Sequence, residues 1–206
     1  MKLYFVRHGE STANLTGEFS NNNSKHPLTE MGIAQVKSTA SNLRGASIDR
    51  IYTSPVLRAV QTAQILAEAL HAPWEITEAL REWSVGIYEG TSDPSGWELH
   101  RQVQEDWFFH HKPDSRMPGG ESFGEIQDRF VPFINQLLKN NTGSQENIVL
   151  VGHGGLFMAM LPVILTNVDH AFAQQHGLAY AAITVAEVRM SELQCLSWGG
   201  VKFVVK

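Results

Sequence analysis

Several things are scarce in this sequence, and each scarcity narrows what the chain can be. Among 206 residues there is a single cysteine, Cys195. No intramolecular disulfide and no cysteine-built zinc site can therefore be assembled, and this usage fits a reducing compartment, so a cytoplasmic location is expected. No stretch approaches the roughly 20 apolar residues that a membrane span needs. The apolar run Leu3-Tyr4-Phe5-Val6 is too short for a signal-peptide core and is cut off by Arg7. Basic runs are missing and the formal charge is −5, which disfavours nucleic acid as the main partner. Internal repeats and low-complexity tracts are absent as well. What is present is an ordinary apolar fraction of 43%, enough for a folded core rather than disorder. One α/β domain over residues 1–206 is the expectation, with oligomeric state left open.

Hydrophobic patterning places the elements. Leu3 to Val6 reads as a buried strand, and Asn21 to Pro27 as a polar surface loop. Thr29 is placed to cap a helix whose apolar positions are Ile33, Val36, Ala40 and Leu43, ended by Gly45. Ile48 to Thr53 reads as a strand. Ser54-Pro55 then reads as a helix start, serine at the N-cap and proline in the first turn, with Val56, Val60, Ala63, Ala67 and Leu70 on the buried face. A short strand is expected at Trp74–Thr77. Residues 83–120 read as a loop-rich insertion flanking the site, with a helix near Trp97–Phe109. Phe123 to Leu137 is helical, bent at Pro132. Asn147–Val151 reads as a strong strand, followed by Gly152-His153-Gly154-Gly155 and a helix near Leu156–Leu165. Ile183–Val188 and Gln194–Trp198 close the chain as strands. This alternation predicts a three-layer α/β/α fold around a mostly parallel sheet.

In such sheets ligands sit at the carboxyl ends of the strands. The first strand runs into Arg7-His8-Gly9, the second into Ser54-Pro55 with Arg58 beyond, and the third into His153. Two arginines and two histidines would meet on one edge, joined by helix N-termini that favour anions. Phosphate chemistry needs such a set. Arginines bind phosphoryl oxygens bidentately, and an imidazole nitrogen can attack phosphorus and form a covalent intermediate. Nearby cations keep that imidazole neutral. Glu82, in Leu80-Arg81-Glu82-Trp83, is placed to donate a proton to the leaving oxygen.

These residues resemble the histidine phosphatase superfamily, the group that contains cofactor-dependent phosphoglycerate mutase and related phosphatases. Arg7-His8-Gly9-Glu10-Ser11-Thr12 matches its signature, and Asn14 a phosphate-pocket asparagine. Leu28 to Gly32, Ser54 to Ala63, Leu80-Arg81-Glu82, Pro118 to Ser122 and Gly152 to Gly155 match further blocks, in the family's order over roughly residues 3–165. The resemblance implies a phosphoglycerate mutase-like fold and His8 as the residue that becomes phosphohistidine. Arg7, Arg58 and His153 would stabilise the transferring phosphoryl group, with Glu82 as proton donor and then acceptor. It implies no metal and no cofactor.

The resemblance also implies hydrolysis rather than mutase transfer. A Gly-Trp-x-Asp element is missing where the chain reads Gly17-Glu18-Phe19-Ser20, and Gly154-Gly155 follows His153 in the phosphatase manner. The expected activity is a phosphomonoesterase on a small phosphorylated metabolite. Mutase-type transfer and a non-catalytic phospho-ligand binding module stand as alternatives. Ala13 replaces the family's tryptophan before Asn14, a change expected to reshape the pocket wall. Asn14, Ser20, Glu121, Ser122 and Gly154 are the candidate substrate contacts. Asn14 also suits a turn cap, Ser20 a surface position and Ser122 an N-cap. Trp83, Trp97, Trp107, Phe108 and Phe109 suit either packing of the insertion or an apolar lid over the leaving group. Adjacent His110 and His111 point apart and read as solvated surface.

Overall fold

A computed structural model of the chain describes residues 1–21, 25–141, 143–190 and 192–204. Seven strands form one sheet in the order β3-β2-β4-β1-β5-β6-β7. These are β1 Lys2–Arg7, β2 Arg50–Thr53, β3 Trp74–Ile76, β4 Asn147–Gly152, β5 Ile183–Arg189, β6 Glu192–Trp198 and β7 Val201–Lys202. The first four run parallel, while β5, β6 and β7 add antiparallel pairs at one side. Seven α-helices accompany them: α1 Thr12–Thr16, α2 Glu30–Leu43, α3 Leu57–Leu70, α4 Pro94–Phe108, α5 Phe123–Asn140, α6 Gly154–Ile164 and α7 His170–His176. Among the described residues no helix is long and apolar enough to cross a membrane.

The strand period of two divides the core between the faces of the sheet. Tyr4 and Val6 of β1 pack with Val36, Ala40 and Leu43 of α2 and Ala59, Ala63 and Leu66 of α3. Leu3 and Phe5 point the other way, towards Ile126 and Phe130 of α5 and Leu156 and Phe157 of α6. The three-layer α/β/α expectation is thereby met. Thr29 caps α2 as expected, its hydroxyl accepting from the Gly32 amide at 2.9 Å. Part of the polar loop expected at Asn21–Pro27 falls on Asn22, Asn23 and Ser24, outside the described residues.

The start of α3 differs from expectation. Its N-cap is Val56, and the buried residues are Arg58, Ala59, Thr62, Ala63 and Leu66; of the expected stripe Val56 and Ala63 are buried, and Ala67 and Leu70 pack half-buried against the core. The apolar pattern was incomplete because the inward face carries two polar residues, Arg58 and Thr62, that belong to the site. Ser54-Pro55 forms a turn ahead of the helix instead of its first residues. The sequence reading also lacked α1, α7 and β7, all too short for a periodic signal.

The two ends of segment 83–120 are paired with each other. Ile87 N–H donates to the Pro118 carbonyl at 3.0 Å, and Glu121 N–H to the Ser84 carbonyl at 3.0 Å. Gly86, at φ +60°, lies so close to this pairing that a Cβ there would sit 2.0 Å from the Pro118 oxygen. Only glycine suits both the left-handed conformation and the contact. Within the segment, α4 is capped by Asp93, with Pro94 in its first turn.

Candidate active site

Parallel β1, β2 and β4 end on the same edge, and their ends bring His8, Ser54 and His153 together. The His8 loop is held from both sides. Its Gly9 amide donates to Thr62 Oγ1 of α3 at 3.2 Å. Glu10 accepts from the Thr29 hydroxyl at 2.7 Å and, through its carbonyl, from the Thr29 amide at 3.0 Å. The start of α2 is therefore clamped to the loop. A Cβ on Gly32 would sit 2.0 Å from the Glu10 carbonyl oxygen, which explains the glycine in Leu28-Thr29-Glu30-Met31-Gly32.

His8 and His153 are both buried, with ring centroids 5.2 Å apart. His8 Nδ1 lies 2.6 Å from the Gly9 carbonyl. A carbonyl only accepts, so Nδ1 carries the proton and Nε2 keeps its lone pair. Arg58 Nε–H donates to that Nε2 at 2.9 Å. The second arginine nitrogen contact, Nη2 to His153 Nδ1 at 3.1 Å, fixes His153 in the opposite tautomer. Its Nε2–H then donates to Ser54 Oγ at 2.8 Å. Arg58 Nη1 also donates to the Ser20 carbonyl. One buried guanidinium thus orients both imidazoles.

Electrostatics agree with this assignment of protons. Burial, then the Arg58 and Arg7 charges, push the His8 pKa well below its ordinary value. The same causes, with His8 itself, do so for His153. Burial lowers Arg58 to about 10, so it stays cationic at neutral pH. The Arg7 guanidinium lies 4.2 Å from the Tyr180 ring centroid and donates to the Leu178 carbonyl. Its buried Nε has no partner among the described residues. A Cβ on Gly154 would approach that Nε to 3.0 Å, so the glycine leaves Arg7 room.

Glu82 meets the N-terminus of α6. Its carboxylate accepts from the Gly155 amide at 2.9 Å and from the Trp83 amide at 3.1 Å. Burial raises its pKa above the ordinary carboxylate value, against the Arg58 charge and these amide hydrogen bonds. A proton can therefore be held there at higher pH than on an exposed glutamate.

These groups open on a cavity of about 270 Å³, lined in part by Arg7, His8, Asn14, Ser20, Arg58 and Glu82. Gly154 lines it too. Asn14 also braces its own loop, where its Oδ1 accepts from the Ser11 amide and hydroxyl, both at 2.9 Å. Ser20 is buried rather than on the surface. Glu121 and Ser122 are not brought to this cavity, contrary to the sequence reading. The Glu121 carboxylate accepts from the Ser84 amide at 2.7 Å and from Arg129 Nε at 2.9 Å. Ser122 caps α5 in a reciprocal box with Glu125. Both brace the base of segment 83–120.

The aromatic cluster divides. Trp83, Trp107 and Phe108 are buried as packing, whereas Trp97 and Phe109 are 41% and 46% exposed. Trp97 lines the cavity together with Phe19, His100, Gln104 and Met158. Sequence reasoning missed these last four, since nothing in their spacing sets them apart from ordinary helix and loop positions. His110 is exposed and pairs with Asp106 at 3.1 Å, as a solvated surface residue would. Among the described residues no group of three or more His, Cys, Asp or Glu side chains is placed to hold a metal ion. Positive charge at the site comes from Arg7 and Arg58.

Comparison with known proteins agrees with the geometry. Residues 3–200 match the family model of the histidine phosphatase superfamily, branch 1. The adenosylcobalamin/alpha-ribazole phosphatase of Salmonella typhimurium is 31% identical over 180 residues, which are 81% of this chain and 80% of that protein. A Proteus mirabilis protein named as a probable phosphoglycerate mutase is 32% identical over 168 residues, 80% of this chain and 75% of that one. Among solved structures, a mycobacterial glucosyl-3-phosphoglycerate phosphatase superposes with a TM-score of 0.81 at 23% identity, covering 96% of this chain and 98% of its own.

Proposed function

The chain belongs to the histidine phosphatase superfamily, and from that premise we propose how its residues divide the chemistry. The protein is a histidine-dependent phosphatase. His8 Nε2 attacks the phosphorus of a phosphomonoester. A P–N bond forms, the bond from phosphorus to the leaving oxygen breaks, and the Glu82 carboxyl delivers its proton to that oxygen. Glu82, now a carboxylate, takes a proton from water while the water oxygen attacks phosphohistidine. The P–N bond breaks, inorganic phosphate departs, and the His8 lone pair and the Glu82 proton are restored. Arg7 and Arg58 neutralise the charge that gathers on the equatorial oxygens. His153, held between Arg58 and Ser54, positions that arginine.

The observation that carries this assignment is the His8 tautomer. The Gly9 carbonyl, 2.6 Å from Nδ1, fixes the proton away from Nε2. The Nε2 lone pair, which accepts from the Arg58 Nε–H here, attacks phosphorus once that N–H turns to a phosphoryl oxygen. His8→Ala should abolish turnover by at least about 10⁴-fold and remove any acid-labile phosphoenzyme trapped during turnover. Retained labelling would refute the assignment.

The same reading takes a small phosphorylated metabolite as substrate and gives nucleic acid and membranes no part in it. It places the reaction in the cytoplasm, on the strength of the lone cysteine. Because two arginines supply the positive charge, a chelator should leave turnover unchanged. Inhibition reversed by a divalent ion would break the reading.

A further inference from the structure

The reaction centre accounts for only part of the cavity. The rest is built from the loop before residue 21, from α4 and from Met158 of α6. Its character is different. Trp97 stacks on Phe19 with ring centroids 3.9 Å apart and planes 21° apart, and its Nε1–H is anchored on the Gly17 carbonyl at 2.8 Å. The indole is thus fixed, yet 41% of the residue stays exposed. His100 stacks on Trp83 at 4.4 Å. Burial lowers its pKa to about 4, so it is neutral at physiological pH and offers one donor and one acceptor.

His100 and Gln104 stand one turn apart on α4 and both line the cavity. Among the described residues neither of these half-buried side chains has a hydrogen-bond partner, so both are free to bond a ligand. Charge is arranged just as unevenly. Apart from Arg7 and Arg58 the lining holds no lysine or arginine. Its remaining carboxylate besides Glu82 is Glu18, which faces Lys25 at 2.6 Å and His26 at 3.0 Å. A carboxylate on the alcohol half of a substrate would meet Glu18 there and, beyond the two arginines at the phosphate end, no lining lysine or arginine among the described residues.

We propose that the alcohol half of the substrate is uncharged and carries a flat ring, which lies against Trp97 while its polar atoms bond His100 and Gln104. This deepens the phosphatase reading and rests on it. The pocket selects against phosphorylated carboxylic acids such as 3-phosphoglycerate, and it does so through residues of α4 that take no part in moving the phosphoryl group.

The test compares two alkyl esters, because an aryl ester would gain from its better leaving group alone. Turnover of 2-phenylethyl phosphate is measured against 3-phosphoglycerate, alongside calorimetric binding of the corresponding non-hydrolysable phosphonates. The ring ester should lead in kcat/KM by about ten-fold or more. Trp97→Ala should erase most of that lead by lowering the ring ester far more than the acid. Gln104→Arg should raise 3-phosphoglycerate relative to the ring ester. A preference for the acid, or equal losses on both esters in Trp97→Ala, would overturn the inference. Absent turnover with ring-phosphonate binding still preferred would instead overturn the hydrolytic reading and support this one. Absent turnover with no such preference would overturn both.

Discussion

The two ends of the cavity are built on opposite plans. At the phosphate end the polar groups around His8 and Arg58 are tied to one another. Arg58 holds His8, His153 and the Ser20 carbonyl at once, and His153 is pinned again by Ser54. Glu10, Thr29 and Thr62 clamp the backbone that carries His8. At the α4 end, two polar side chains face the cavity without partners among the described residues, and an indole presents an uncovered face. A densely hydrogen-bonded network is rigid and preorganised for one charge distribution, which suits a transition state common to all phosphomonoesters. A surface with unmade hydrogen bonds waits for the group that completes it, which suits recognition of one leaving group among many.

The largest effects should come from breaking the tied end. Arg58→Ala leaves His8 Nε2, His153 Nδ1 and the Ser20 carbonyl without their donor. We expect kcat/KM to fall by about a thousand-fold on every ester, with the preference between ring and acid esters kept. A loss confined to one ester would show that the two ends are not independent. Glu82→Gln should come next, with about a hundred-fold loss of kcat on alkyl esters and a much smaller loss on p-nitrophenyl phosphate, whose leaving group needs no proton. Glu82 acts as an acid, so activity should decline as pH rises through its raised pKa. The glutamine variant should lack that alkaline limb, and a retained limb would assign the proton to another group.

The smallest effect belongs to stability and sharpens the α4 side. The unfolded chain protonates His100 near the ordinary histidine value of 6.5, whereas the folded protein resists protonation until about pH 4. Between those values the unfolded state binds more protons. His100 therefore costs no stability above about pH 6.5, and stability falls as pH drops below it, by roughly 3 kcal/mol once pH 4 is reached. His8 and His153 act in the same direction. Urea midpoints at pH 7 and pH 5 should differ less in His100→Gln than in the parent. An equal difference would show that His100 is not held neutral by burial.

The tied end was also the legible one. Strands that stop at a charged residue beside glycine announce a site, and β1 with His8 and β4 with His153 could be read that way from Leu3–Val6 and Asn147–Val151. Arg58 could be named, but the buried face of α3 only in part, because the arginine and Thr62 share the stripe where apolar residues were sought. Glu10 had no assignable role until Thr29 was seen beside it. Glu121 and Ser122 looked like substrate contacts because their block follows the family's order, yet sequence order does not report which way a side chain turns. His100 and Gln104 were invisible. A histidine and a glutamine on a polar helix carry no pattern, and their meaning lies in the partners they lack.

The crossing where Ser84 and Ile87 meet Pro118 and Glu121 has a consequence for how the cavity can change. Those two backbone hydrogen bonds fix the spacing of the segment's ends, while Gly90 and Thr91 bond Phe19 and tie its first part to the loop before residue 21. Glu82 lies just before the crossing and Glu121 at its far side, so neither has to move when the segment does. A change at Trp97, His100 or Gln104 therefore alters the alcohol end of the cavity on a helix that supplies none of the groups holding His8 or Arg58.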